Sequence, residues 1–318
     1  MLWLCHVQNT GMSIGIGFVS ICLSEHQCSP AGTVTVAQMA KLPSREAQLN
    51  AIKRVAMRNL DRTRRIMWFL EPHGLQLYRI SANLIPLATH ELTDGWAWWE
   101  DEDLGEIGAA IGTVAMAKGY RLSSHLPELC GLTADVDGLR WTEPYLEYHE
   151  RLFTMLQLPE DTKIVMHLGG GYGDKERSLA RATEALLSLS DWAKGCLVLE
   201  NDDRVFTARD TLRVCQESGV AMVFDLHHHW CNQEEELSSE LLSAIFATWR
   251  DRPPKVHLSS PRDAKHQRAH ADYVDPAFVS GFVELARSLG SFDIMVEAKK
   301  KDLAALRLKD DLAAVLQD

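Results

Sequence analysis

The chain has 318 residues, 46% of them hydrophobic and 24% charged, with a formal net charge of −11. That length suits one large α/β barrel or two ordinary domains, and the composition is that of a soluble globular protein. An acidic balance excludes general attraction to a polyanion, so any nucleic-acid binding needs a local positive region, such as bound metal would make.

The opening residues, MLWLCHVQNTGMSIGIGFVSICL, lack a basic n-region and are broken by polar side chains, which argues against a signal peptide. No apolar run is long enough to span a bilayer. Met12 directly precedes the first convincing strand, so residues 1–11 read as an N-terminal extension, with translation starting at Met1 or Met12. Seven Cys (5, 22, 28, 130, 196, 215 and 231) form no CxxC pair and are odd in number, as reduced thiols of a cytoplasmic protein would be.

From there on, short apolar runs alternate with segments of helical period. The strand candidates are IGIGFVSI (14–21), LYRISA (77–82), RLSSHL (121–126), KIVMHLG (163–169), CLVLEN (196–201), AMVFDLH (221–227), KVHLSS (255–260) and DIMVEAK (293–299). Helical candidates lie at 44–72, 103–119, 142–157, 174–190, 207–219, 235–250, 275–289 and 302–316. No linker or composition shift interrupts the alternation. It predicts a single TIM-type (β/α)8 barrel over residues 12–318, with a doubly wound open sheet as the competing arrangement.

In such a barrel, chemistry sits where the strands end. His125 and His167 stand at the ends of the third and fourth strands and Glu200 at the end of the fifth. Asp225 with His227, His228 and His229 follows on the sixth, Lys255 and His257 on the seventh, and Glu297 on the eighth. His90 follows the second strand and His270 the seventh. One His at a strand end is more often a hydrogen-bonded core residue than a ligand, and one Glu is usually solvated. Seven strands contributing together are hard to explain as packing, since random placement would scatter His over the helices, where His149 alone clearly falls. Mixed His and carboxylate donors without Cys suit Zn²⁺, Mn²⁺ or Fe²⁺, and their number exceeds the needs of one ion, which implies two or three. Spacing leaves open which of the three consecutive His takes part. HLGGGYGDK (167–175) lacks the spacing of a P-loop and reads as a tight turn. AKKKD (298–302) reads as a solvated helix start and DRTRR (61–65) as an exposed helix face.

The segments YRISANLIPLATH, VMHLGGGYGDK, LENDDR, VFDLHHH, PKVHLSSP, AHADYV and MVEAKKKD together resemble the UV damage endonucleases, from about Gly15 to Leu316. The resemblance implies a barrel like those of endonuclease IV and xylose isomerase. It implies ATP-independent nicking of damaged double-stranded DNA immediately 5′ of ultraviolet photoproducts, leaving a 3′-hydroxyl and a 5′-phosphate. It also implies two or three divalent ions, Mn²⁺ first, with Zn²⁺, Mg²⁺ or Co²⁺ as alternatives. Carried over by position, the ligands are His90, His125, His167, Glu200, Asp225, His228, His257, His270 and Glu297, with Lys255 carboxylated on its amine. Glu200, Asp225, Lys255 and Glu297 carry the catalytic role. Three ions against those four anionic groups would leave about +2 of net charge to hold a phosphate.

The family pattern is broken after the third strand. HLPELCG places Glu128 and Leu129 where relatives carry a Gln and an aromatic residue that probe the duplex, so lesion recognition is expected to differ. The FVSICL strand end also lacks an Asn that some members have. Competing functions are an abasic-site endonuclease of the endonuclease IV type, a metal-dependent sugar isomerase, and a damage-binding protein without catalysis. The expected molecule is a monomer working in the cytoplasm, at the nucleoid in a bacterium.

Overall fold

The computed structural model describes residues 13–134, 139–233 and 235–315. Residues 1–11 and Met12, where an extension and an alternative start are expected, lie outside them. Every apolar run of strand length forms a strand: β1 (Ile14–Val19), β2 (Leu77–Arg79), β3 (Arg121–His125), β4 (Lys163–His167), β5 (Leu197–Glu200), β6 (Ala221–Asp225), β7 (Lys255–Leu258) and β8 (Phe292–Val296). All pair in parallel, each with its sequence neighbour, and β1 pairs with β8 to close the barrel. The open-sheet alternative is thereby excluded. β1 crowds β2 so tightly that a Cβ on Gly17 would lie 2.0 Å from the Leu77 carbonyl oxygen, so glycine is needed there.

Around the strands lie α1 (Val36–Met39), α2 (Arg45–Leu70), α3 (Glu102–Lys118), α4 (Thr142–Met155), α5 (Lys175–Ser188), α6 (Asp191–Cys196), α7 (Ala208–Ser218), α8 (Leu226–Cys231), α9 (Ser239–Ala247), α10 (Pro276–Ala286) and α11 (Lys301–Val315). Start signals are local. Ser44, Asp101, Asp174, Thr207, Ser238 and Asp275 each accept a backbone N–H in the first turn of the helix that follows. α2 is typical of the outer ring. Its buried stripe, including Ile52, Val55, Leu60, Ile66, Met67 and Leu70, recurs at helical spacing and faces the sheet. Three short helices, α1, α6 and α8, were not anticipated from the sequence.

Strand alternation divides the interior. Outward residues such as Phe18, Tyr78, Met166, Leu199, Phe224, Val256 and Ile294 join the large core under the helices. Inside the barrel, Val165, Val198 and Val223 form a separate dry layer. Below that layer, at the strand starts, Arg121 donates to both oxygens of Asp293 at 2.6 Å. Above it, residues two further along the same strands, His167, Glu200 and Asp225, reach the C-terminal mouth.

Candidate metal centre

Glu200 ends β5 on the inner face, and only 1% of its surface is exposed. Four imidazoles converge on it. His125 Nε2 lies 3.2 Å and His167 Nε2 3.8 Å from Oε2, while His257 Nδ1 lies 3.0 Å and His228 Nδ1 3.3 Å from Oε1. His257 Nδ1 is also 3.1 Å from Glu297 Oε1, and His228 Nδ1 is 3.9 Å from Asp225 Oδ1. Two groups, His125–His167–Glu200 and Glu200–Asp225–His257, have donor atoms close enough to share an ion.

The orientation of the His rings follows from their hydrogen bonds. His125 Nδ1 donates to the Leu126 carbonyl at 2.6 Å and His270 Nδ1 to the Glu297 carbonyl at 2.6 Å, which leaves each Nε2 as a lone pair. His167 Nδ1, both nitrogens of His257, Glu200 Oε1 and Asp225 Oδ2 are buried without a hydrogen-bond partner. Unpartnered buried polar atoms are costly in a folded protein. Five of them within one cluster of oxygen and imidazole donors fit divalent cations.

Charges within the cluster are strongly coupled. Burial alone would raise the Glu200 carboxyl, but the positive potential of His257 and His167, with His125 and His228 also beside it, holds it well below the usual range. Burial raises Asp225, and the charges of Glu200 and Glu297 add to the effect. Burial works against protonation of His228, yet Asp225, Glu200 and Glu297 outweigh it and push its imidazole up to about 11. Glu297 stays low despite burial because Arg79 pairs with it directly. Arg79 ends β2 and brings a fixed cation to the mouth. It escaped the sequence reading because only ligand-type side chains were sought at the strand ends.

The run of three His is resolved by α8. The apolar run expected to extend to residue 227 stops at Asp225, whose Oδ1 accepts the His228 N–H at 2.7 Å and caps a helix of six residues. Successive helical positions diverge by about 100°. His228 turns to Glu200, whereas His227 spends both nitrogens on Ser259 Oγ (2.9 Å) and the Gln267 carbonyl (2.7 Å). His229 packs on Phe224, 5.3 Å between ring centroids. His149 is therefore not alone in lying on a helix. Asn201 was also missed. It is fully buried and exchanges two hydrogen bonds with the Asp225 backbone, at 2.9 and 3.0 Å, which fixes the main chain that carries that carboxylate.

Four expected residues stand apart. His90 caps a single 3-10 turn at 91–93, with Nδ1 accepting from Leu92 N at 3.1 Å, and belongs to neither group of three. Lys255 opens β7 rather than ending it, two residues before His257 on the same face and in register with Asp293. Burial lowers its amine to about 8 against the pull of Asp293, with Arg79, Arg121 and Lys163 adding to the depression. Glu128 and Leu129 are exposed on the loop after β3. They line a cleft of about 890 Å³ that also reaches His167, His228 and His270.

Among known proteins, the family model described as UV-endonuclease UvdE matches residues 14–317. A UV DNA damage endonuclease of Bacillus cereus (strain B4264) is 36% identical over 311 residues, 96% of each chain. The solved structure titled SacUVDE superposes with a TM-score of 0.84 at 28% identity, covering 95% of this chain and 99% of that one. Endonuclease IV from Thermus thermophilus, at 17% identity and a TM-score of 0.53 over 79% of this chain and 94% of its own, shares the fold. A buried glutamate ringed by imidazoles at a barrel mouth thus occurs in a chain that belongs, over nearly its whole length, to the UV-endonuclease UvdE family.

Proposed function

We propose that this chain is a metal-dependent endonuclease that incises double-stranded DNA immediately 5′ of ultraviolet photoproducts, leaving a 3′-hydroxyl and a 5′-phosphate without ATP. The observation that carries the reading is the buried Glu200 carboxylate within 3.8 Å of four imidazole nitrogens, in a cluster where five buried donor atoms have no hydrogen-bond partner. Its assignment to DNA damage rests on the family.

In this reading His125, His167, Glu200, Asp225, His228, His257, His270 and Glu297 hold two or three divalent ions, Mn²⁺ foremost, with His90 as a further donor through Nε2. Ions bound there would supply positive charge to the scissile phosphate and lower the pKa of water for in-line attack. The protein's own residues set the geometry. Asn201 fixes Asp225, the Leu126 and Glu297 carbonyls fix two rings, and Arg79 holds Glu297 ionised. Lys255 acts as a carboxylated ligand, and its depressed amine supports that role because only the neutral amine adds carbon dioxide to form a carbamate.

The test is strand nicking by manganese-loaded protein on end-labelled duplexes carrying one photoproduct, one abasic site or no lesion. A cut immediately 5′ of the photoproduct, abolished by chelator, is expected. Cutting of the abasic duplex alone would make the chain an abasic-site endonuclease, and failure to cut any duplex would sink both readings.

A further inference from the structure

Ten large hydrophobic side chains stand exposed among the described residues, and three of them, Leu129, Trp141 and Tyr172, line the cleft that leads to His167, His228 and His270. Exposed apolar side chains scattered singly need no explanation, but aromatic ones gathered at the entrance to a reactive centre do. Trp141 is 58% and Tyr172 66% exposed.

The wall that carries them is braced. Trp141 sits at the cap of α4, where its side chain makes no capping bond. Its carbonyl accepts from Cys130 Sγ at 3.6 Å, and Thr142 Oγ1 both donates to the Gly131 carbonyl (2.9 Å) and accepts from the Gly131 N–H (3.1 Å). Leu132 N donates to the Leu168 carbonyl at 2.8 Å, tying this loop to the one after β4. The approach is closest at Gly169, whose φ is +113° and where a Cβ would lie 2.7 Å from Thr133 Oγ1. Arg181 then bridges the two loops, donating to the Thr133 carbonyl at 2.6 Å with its guanidinium 5.9 Å from the Tyr172 ring centroid. Arg140 lies similarly against Trp141, at 5.3 Å. Both rings are thus held in place, by backbone bracing and by an arginine, while most of their surface faces water.

We infer that Trp141, with Tyr172, is a stacking platform that receives an unstacked nucleobase of the DNA substrate, making Trp141 a specificity-determining residue. The inference rests on the function proposed above. Three observations favour a nucleobase as the occupant. The cleft is continuous with the candidate metal centre, its volume of about 890 Å³ is of ligand size, and Arg204 and Arg268, which share Asp203 at 3.6 and 3.4 Å, line it with one cation in excess of that carboxylate for the accompanying phosphates. Aromatic side chains hold any base by its π-face, so the platform tolerates every sequence and selects only for a base free of the stack. Leu129, beside it, has no such face to offer.

The test compares wild type, Trp141→Ala and Trp141→Phe in two assays. One is single-turnover nicking of the photoproduct duplex at rising concentrations of manganese-loaded protein. The other is anisotropy with an undamaged single-stranded oligonucleotide. Trp141→Ala should raise the half-saturating concentration and weaken single-strand binding, each about tenfold, while the maximal nicking rate changes less than about twofold. Trp141→Phe should restore most of both, and melting temperatures should agree because the indole is exposed. Unchanged half-saturation and single-strand affinity in Trp141→Ala would overturn the inference. So would a loss accompanied by a lower melting temperature. Should wild type fail to nick the photoproduct duplex, the proposed function falls. The single-strand arm then decides the platform alone, for it if Trp141→Ala binds about tenfold more weakly and against it if affinity is unchanged.

Discussion

Asp225 and Glu297 share a small, largely buried volume with Glu200 and four imidazoles, so removing either carboxylate unbalances all the others. Asp225→Ala or Glu297→Ala should lower nicking by more than the roughly 10–100-fold typical of residues that only support a ligand, with circular dichroism unchanged. Nicking at the wild-type rate would show the assignment to be wrong. His149 gives a pH prediction away from the ions. It is fully buried, donates Nδ1–H to the Tyr145 carbonyl (2.7 Å) and pairs Nε2 with Ser124 Oγ (2.8 Å), and burial lowers it to about 4. The unfolded chain, with an ordinary His near 6.5, then binds the extra proton first. Stability should therefore fall as pH drops from about 6.5 to about 4, by roughly 3 kcal/mol, and level off below. Urea unfolding of chelator-treated protein should show a slope of this sign in wild type and a shallower one in His149→Leu, since burial also lowers His125, His227 and His229. At the cleft, Glu128→Gln removes a negative charge facing a polyanion and should tighten DNA binding a few-fold, most at low salt. The ligand-type residues were legible because His and carboxylates at strand ends have few other reasons to be there. Arg79 and Asn201 were not, since an Arg or Asn at a strand end is ordinary until the neighbouring strand is in place.

At the scale of elements, alternation of apolar and helical periods located the strands to within one to three residues at most ends. It failed where a polar side chain ends a run early. Asp225 is the clearest case: the apolar period continues through Leu226, but the carboxylate captures the His228 N–H and starts a helix instead. The short helices α1, α6 and α8 were missed because four or six residues carry too little period to read. Asp302 illustrates an element held by one side chain. Fully buried in α11, it accepts from Leu23 N (2.6 Å) and Ser24 N (3.0 Å) in the loop after β1. Asp302→Ala should strand both donors and cost about 2–3 kcal/mol in urea unfolding, with Asp302→Asn losing less. Equal stability of Ala and Asn variants would show that the hydrogen bonds do not matter.

For the whole molecule, the closed eight-strand barrel was legible because nothing in the chain interrupts its alternation, although closure itself is a long-range contact that no local pattern reports. Ions held as proposed above would tie the stability of this fold to their binding. A metal that binds only the folded chain at about 100 times its dissociation constant adds roughly 2.7 kcal/mol. Manganese should therefore raise the melting temperature over chelator-treated protein, and Glu200→Gln should cancel most of the shift in differential scanning calorimetry. No shift in wild type would argue against resident ions. The pairing of β1 with β8, residues 14–19 with 292–296, also bears on synthesis. A ribosome releases the first strand long before its partner exists, so that edge stays unpaired until nearly the entire polypeptide has emerged. Glu297 follows β8 directly, so the last carboxylate of the centre arrives with the strand that seals the cylinder. If the proposed centre is right, a prematurely terminated product lacking Glu297 would be a fragment without a complete centre rather than an unregulated nuclease.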